Sequence, residues 1–186
     1  MEVSSMHIRE TVREDLPAVA DIHVKAWRKE ARHLFSADTM ASWTVEDRLR
    51  KWEKNFAGAT SGGTKMYTAE QDGKVVGFGL GGTMRDAKLR IRYTGEVYAL
   101  FIHPDYQERG AGTKLLEEIM GHLQEIGHKR AALWVPSSFS SASYFQKHAQ
   151  GPLMEDETTI KGTTLKEEAY GWDKIIVQPK QEKTYM

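Results

Sequence analysis

Cysteine is absent from this chain of 186 residues. Its absence excludes disulfides, catalysis by a thiolate, and metal sites built on cysteine. The seven histidines are scattered, and no two of them have the His-x-x-x-His spacing of a helical metal site. We therefore expect neither a bound metal nor thiol chemistry.

Long apolar runs and an excess of one charge sign are absent as well. No segment approaches the roughly 20 apolar residues that span a bilayer, and the start of the chain has no charged-then-apolar signal pattern. The 26 basic and 26 acidic side chains balance, whereas proteins that bind nucleic acid carry an excess of Lys and Arg. We therefore expect a cytoplasmic protein that binds neither membranes nor nucleic acid.

What the chain does contain is a strand, a glycine loop and a helix in direct succession. The apolar run 96–102 is rich in β-branched and aromatic residues and ends at the turn residues 103–105. The loop Gln-Glu-Arg-Gly-Ala-Gly-Thr follows at 107–113. Beyond it, spacings of three and four predict a helix with one apolar stripe, formed by Leu115, Leu116, Ile119, Met120, Leu123 and Ile126.

A glycine loop between a strand and a helix is typical of phosphate-binding sites. The first backbone N–H groups of a helix have no intrahelical partner, and the helix dipole favours an anion there. Gly110 and Gly112 have no side chains that would keep a pyrophosphate away from those amides. The alternative is a helix start that uses glycine only for its backbone conformation and binds no ligand.

Two common phosphate motifs do not fit this loop. A P-loop needs Gly-x-x-x-x-Gly-Lys-Ser/Thr, and Lys114 stands at the wrong distance from the glycines. The dinucleotide fingerprint needs a third glycine within an early β-α-β unit. Instead, Gln107-x-x-Gly110-x-Gly112, in its context from 96 to 116, resembles the acyl-CoA loop of the GNAT superfamily of N-acetyltransferases.

The remaining patterns predict elements in the order of the GNAT fold. They indicate strands at 7–11, 65–70, 74–82, 96–102, 130–135, 154–160 and 164–175, and helices from 13, at 45–56, after the loop and at 140–148. The order β-α-α-β-β-β-α-β-α-β-β implies an α/β (α+β) fold with a mixed, mostly antiparallel central sheet flanked by helices. We expect one domain over 1–177 and a polar, frayed C-terminal tail over 178–186.

The resemblance implies an enzyme that uses acetyl-CoA as cosubstrate. In the family, backbone amides of the loop hold the pyrophosphate, and the free edge of the fourth strand pairs with pantetheine. The positions that match these roles are Leu100, Phe101, Ile102, Gln107, Glu108, Arg109, Gly110, Ala111, Gly112 and Thr113.

The resemblance also implies a general base on the fourth strand. An amine attacks only when neutral, and an alkylammonium has a pKa of about 10.4 in water, so a base must take a proton. Glu96 matches a glutamate that many family members carry there. The alternative is a strand carboxylate paired with an arginine such as Arg92. His103 lies in the turn beyond the strand and is not chosen.

A proton donor for the departing thiolate is the least regular part of the resemblance. The family often places a tyrosine at the end of Asn-x-x-Ala-x-x-Phe-Tyr, where this chain has Phe145 preceded by Tyr144. We name Tyr144 as the candidate acid. Water, Ser140 or Ser141 could substitute, or no acid is used, because a thiol with a pKa of about 8.5 is a tolerable leaving group.

The net charges of the candidate acceptor-binding segments do not identify the acceptor. The hairpin from 153 to 173 has a net charge of −4, whereas the segment from 25 to 54 has a net charge of +3. We expect an amine acceptor, either a small molecule or a peptide N-terminus, and a homodimer is compatible with the family. The alternatives are a CoA-binding sensor or regulatory protein without turnover, and a different nucleotide-binding enzyme that uses the same loop.

Overall fold

The computed structural model describes residues 5–177, and its elements follow the predicted order. The strands are β1 Met6–Glu10, β2 Lys65–Gln71, β3 Lys74–Thr83, β4 Gly95–Ile102, β5 Ala131–Pro136, β6 Gln150–Ile160 and β7 Thr163–Trp172. The helices are α1 Leu16–Ala31, α2 Ala37–Ala41, α3 Val45–Ala59, α4 Ala111–Glu125 and α5 Ser140–His148. The tail predicted for 178–186 lies outside the described residues.

The differences from the predicted elements are local. The short helix α2 was not predicted, because five residues are too few to show an apolar period; its start is capped by the hydroxyl of Ser36, which accepts from the Thr39 amide at 3.2 Å. The predicted strand 164–175 was too long. The strand β7 ends at Trp172, and the next side chain, Asp173, accepts hydrogen bonds from Arg92 and Tyr93 instead.

All seven strands form one sheet in the order β1-β2-β3-β4-β5-β7-β6. Neighbouring strands are antiparallel except β4 and β5, which are parallel. These two strands pair only at Gly95 with Ala131 and at Glu96 with Ala132. Beyond those pairs they diverge, which leaves one edge of β4 without a strand partner and opens a gap in the middle of the sheet.

Helices cover both faces of the sheet and fix the position of the loop. The helices α1 and α3 pack on one face against Phe78 and Leu80 of β3. The helix α4 packs on the other face, where Gly79 of β3 allows a close approach, because a Cβ there would lie 2.8 Å from Cδ1 of Ile119. This close packing holds the start of α4 beside the end of β4.

Two kinds of feature are absent from residues 5–177. Within that range, no helix is long and apolar enough to cross a membrane. The same residues contain no group of three or more His, Asp or Glu side chains that could hold a metal ion.

Candidate functional site

A cavity of about 680 Å³ opens where β4 and β5 diverge. Its walls come from these two strands, the loop 107–113, α1 and α5. Nine of the ten residues predicted to bind the cofactor line it: Leu100, Phe101, Ile102, Gln107, Glu108, Gly110, Ala111, Gly112 and Thr113. The tenth, Arg109, points elsewhere, and its guanidinium lies 5.1 Å from the centre of the Tyr106 ring.

The loop leaves the first amides of α4 open. Gly110 is the N-cap, with a left-handed φ of 85°, and it supplies no side-chain cap, nor does the first turn contain an acidic residue. A Cβ built on Gly110 meets nothing within 4 Å, and one on Gly112 meets only Cγ1 of Ile102 at 3.8 Å. The protein's own packing therefore does not require glycine at 112, and the open space before the amides fits a pyrophosphate.

Gln107 ties the loop to two other elements. Its Nε2 donates to the carbonyl oxygen of Ile102 at 3.3 Å, and its Oε1 accepts from Nζ of Lys29 on α1 at 2.5 Å. Lys29 was missed by the sequence analysis, because it precedes Gln107 by 78 residues and no local pattern joins them. Hydrogen bonds of Gln107 therefore fix the loop to the end of β4 and to α1.

Glu96 is buried beside the site but does not line the cavity. Its Oε1 accepts from Nη2 of Arg85 at 2.9 Å, and its Oε2 accepts from Nε and the backbone N–H of Arg85 at 3.2 and 2.8 Å. Burial of Arg85 opposes its charge, but the hydrogen bonds to Glu96 outweigh it, so the pKa of the guanidinium is raised. Arg92, the partner considered from the sequence, pairs with Asp173 instead. The role of Glu96 as a base stays a prediction.

Tyr144, rather than Phe145, faces the loop. The Tyr144 hydroxyl lies 3.3 Å from Oγ1 of Thr113, and its side chain lines the cavity. Phe145 is 5% exposed and packs against the rings of Tyr170 and Trp172, with centroids 6.5 and 6.1 Å away. Successive helix residues point about 100° apart. Both side chains border the cavity, but Phe145 packs into the core while the Tyr144 hydroxyl reaches the loop. Whether Tyr144 acts as an acid stays a prediction.

Two carboxylates in the cavity wall were not among the predicted site residues. Glu30 of α1 accepts from the backbone N–H of Ser140 at 2.8 Å and from its hydroxyl, and so caps α5 from a distant element. Glu167 of β7 lines the same cavity, and burial, followed by the charge of Asp156, raises its pKa. Glu30 escaped prediction because Ser140 lies 110 residues away along the chain. Glu167 belongs to the acidic hairpin 153–173, but only the fold places it in the cavity wall.

Comparisons with known proteins agree with this geometry. The model of the acetyltransferase (GNAT) family matches residues 22–149. An uncharacterized N-acetyltransferase of Bacillus subtilis is 27% identical over 165 residues, covering 89% of this chain and 91% of that protein. The L-amino acid N-acyltransferase MnaT of Escherichia coli is 29% identical over 123 residues, covering 66% of this chain and 65% of that protein.

A solved structure shows the same fold. The PaiA N-acetyltransferase from Thermoplasma acidophilum, in complex with coenzyme A, superposes with a TM-score of 0.65. It is 20% identical in sequence, and the match covers 89% of this chain and 99% of that one. The overall fold is therefore shared with that N-acetyltransferase.

Proposed function

This chain belongs to the acetyltransferase (GNAT) family of acyltransferases, and we propose that it moves the acetyl group of acetyl-CoA directly to a primary amine. The acceptor is a small molecule or a peptide N-terminus. One observation carries the proposal: the uncapped, glycine-containing start of α4 opens into the cavity between the diverging strands.

The cofactor contacts in this proposal are made mainly by backbone groups. The amides of 108–113 hold the pyrophosphate at the start of α4, where the space beyond Gly110 and Gly112 is open. The edge of β4 at 100–102, which has no strand partner on the β5 side, receives the pantetheine arm. When bound, acetyl-CoA supplies an activated thioester carbonyl.

The transfer itself needs two proton movements. The amine nitrogen forms a bond to the acetyl carbon, the carbon–sulfur bond breaks, and the nitrogen loses a proton. We propose that Glu96 takes this proton through water and that Tyr144 donates one to the departing sulfur. The contact between Tyr144 and Thr113 supports the second assignment, since it holds the hydroxyl at the loop. The three hydrogen bonds from Arg85 count against Glu96 as the base, because they occupy both of its carboxylate oxygens.

A sensor without turnover is not favoured. That alternative depended on the phenylalanine at 145, where the family often has tyrosine. In the structure a tyrosine hydroxyl still reaches the cavity, from the neighbouring position 144. The relatives that match the chain are also named as N-acyltransferases.

The first test of the proposal is thermal unfolding with acetyl-CoA, using ATP and NAD as controls. A ligand at about 100 times its Kd stabilises the folded state by about 2.7 kcal/mol, which at this size raises Tm on the order of 5 to 10 °C. We expect this shift with acetyl-CoA alone, followed by release of free CoA with at least one member of an amine panel. No shift at saturating acetyl-CoA would contradict the proposal.

The role of Glu96 is tested by comparing Glu96→Gln with Arg85→Gln. If Glu96 is the base, Glu96→Gln lowers kcat by about 100-fold without changing the KM for acetyl-CoA. The Arg85→Gln variant removes the same ion pair but leaves the carboxylate, and it should keep most of the activity. If both variants lose stability equally and keep kcat, Glu96 is a structural partner of Arg85 and Glu167→Gln becomes the next variant to measure.

A further inference from the structure

A second concavity, of about 320 Å³, lies between the start of α3 and the turn that joins β6 to β7. We call it the basic cleft, because five of the nine residues that line it are cationic and one is acidic: Arg48, Arg50, Lys51, Lys54, Lys161 and Asp47. Cations gathered in a concave surface raise the local concentration of anions. The basic cleft is separate from the cavity that contains the acyl-CoA loop.

Contacts inside the basic cleft neutralise only part of its charge. Asp47, its single carboxylate, forms an ion pair with Arg50. Lys161 comes from the far end of the chain, donates to the hydroxyl of Ser42, and lies 5.7 Å from the centre of the Trp43 ring. The cleft is therefore assembled by the tertiary structure and keeps a net positive charge.

Arg48 is the cation of the cleft whose environment best fits a bound anion. It is partly buried, and over residues 5–177 its side chain has neither a hydrogen bond nor an ion pair with a carboxylate. Desolvation lowers the pKa of its guanidinium, which means that the charge is held at a cost. A guanidinium with free N–H groups matches the paired oxygens of a carboxylate or a phosphoryl group.

Aromatic rings lie between the basic cleft and the cavity. The Trp43 ring lines the cleft and lies 5.6 Å from the ring of Trp27, which lines the cavity. On the other side, the charge of Arg48 acts on His23, whose ring stacks at 4.6 Å on Phe101 in the cavity wall. The basic cleft and the cavity are therefore neighbours, separated by one layer of aromatic rings.

We propose that the basic cleft binds an oxyanion group, carboxylate or phosphoryl, at the end of the acceptor opposite its amine. This inference rests on the proposed acetyl transfer, and it narrows the acceptor to an amine that carries a distant negative charge. The amine enters the cavity beside β4, while the oxyanion lies against Arg48. Lys51, Lys54 and Lys161 add charge around it.

The kinetic test uses acceptors that differ only at the far end. One arm compares ω-aminoalkanoates of increasing length with their amides, and the other compares ω-aminoalkyl phosphates with the matching amino alcohols. We expect kcat/KM to favour the anionic member by about tenfold to a hundredfold at the best chain length, since a hydrogen bond to a charged group has that range of effect. The arm with the larger preference identifies the oxyanion.

Variants then assign the preference to Arg48. Arg48→Gln should reduce it to about twofold or less, while Arg48→Lys, which keeps the charge, should restore part of it. The matched control is Arg90→Gln, which removes one positive charge from an exposed residue outside both spaces and should leave the preference unchanged. Equal kcat/KM for anionic and neutral acceptors in the wild type would overturn the inference.

A binding measurement separates this inference from the proposed function. With acetyl-CoA saturating the loop, inorganic phosphate should raise the Tm of the wild type and of Arg90→Gln, but not of Arg48→Gln. If this shift is seen while no amine is acetylated, the proposed function fails and the anion site remains. If amines are acetylated without anionic preference and phosphate gives no shift, the function stands and the anion site is wrong.

Discussion

The glycine loop 107–113 and the basic cleft both adjoin the start of a 15-residue helix, but the two helix starts are built differently. In α3, Thr44 accepts from the backbone N–H of Asp47 at 3.1 Å, and Glu46 and Asp47 place acidic groups in the first turn. In α4, Gly110 supplies no side-chain cap, and the first turn holds no acidic residue. The first amides of α4 therefore remain available to a ligand. In α3 the Thr44 hydroxyl accepts from one of these amides, and acidic side chains occupy the first turn.

The consequence is two different ways to bind an anion. In our proposals, the loop binds pyrophosphate through backbone amides and needs glycine to expose them, while the basic cleft binds through guanidinium and ammonium groups. Every substitution except proline leaves the backbone N–H in place, but a side chain can block access to it. Side-chain cations can be removed one at a time, and salt screens them when they are exposed.

Blocking the loop should give the largest effect. We expect Gly112→Leu to weaken acetyl-CoA binding by about 100-fold or more, because a side chain there displaces several charge-assisted hydrogen bonds. Stability should be unchanged or raised by up to about 0.8 kcal/mol, since leucine favours a helix more than glycine does. Isothermal titration with acetyl-CoA, together with thermal unfolding, measures both quantities.

A matched control for this variant lies in the same helix. Gly121 of α4 is outside the cavity, and a Cβ there would meet only Cγ1 of Val177, at 3.8 Å. Gly121→Leu should therefore leave acetyl-CoA binding unchanged. Equal loss of binding in both variants would mean that glycine acts through the fold of α4 rather than through space for the ligand.

Removing the Tyr144 hydroxyl beside the loop should give the second largest effect. Tyr144→Phe should lower kcat by about 100-fold with every acceptor, anionic or neutral, because the hydroxyl serves the departing sulfur and not the amine. Tyr106→Phe is the control, since Tyr106 also lines the cavity but precedes the loop. Steady-state kinetics with one anionic and one neutral amine would check this, and unchanged kcat in Tyr144→Phe would remove the assigned role.

Acid should destabilise the folded protein through His23, on which the charge of Arg48 in the basic cleft acts. Burial, followed by the charge of Arg48, lowers the pKa of His23 to about 3. The unfolded chain binds this proton near pH 6.5 and the folded chain does not, so stability is full above that pH and falls as the pH decreases toward 3. At pH 5 the loss amounts to about 2 kcal/mol.

The variant His23→Phe isolates this contribution. Its Tm should fall less than that of the wild type between pH 7 and pH 5, because the group that titrates only in the unfolded chain is gone. Urea unfolding at the two pH values gives the free energies directly. Parallel losses in both proteins would show that other groups cause the acid sensitivity.

The smallest expected effect is that of salt. Raising KCl from 0.1 to 1 M shortens the Debye length from about 10 to about 3 Å, which weakens attraction to the exposed lysines of the basic cleft. The KM for an anionic amine should rise about threefold, while the KM for its neutral analogue should stay nearly constant. Equal changes for the two amines would count against a role for the cleft in binding the acceptor.

The sequence by itself determined the parts of this protein that are built from contiguous residues. The strand 95–102, the loop 107–113 and the helix that follows are local, because turn signals, glycine and apolar periodicity act within a few residues. The order of the elements, the fold class and the acetyltransferase family follow from them. The short helix α2 escaped prediction because one helical turn carries too little pattern.

Only the tertiary structure decided which side chains meet. Arg85, and not Arg92, pairs with Glu96, and the Tyr144 hydroxyl reaches the loop while Phe145 packs into the core. The opposed charges of the segments 25–54 and 153–173 also looked contradictory, yet folding brings Lys161 from the acidic hairpin to the basic residues of α3. Such contacts join residues far apart along the chain, and no local pattern encodes them.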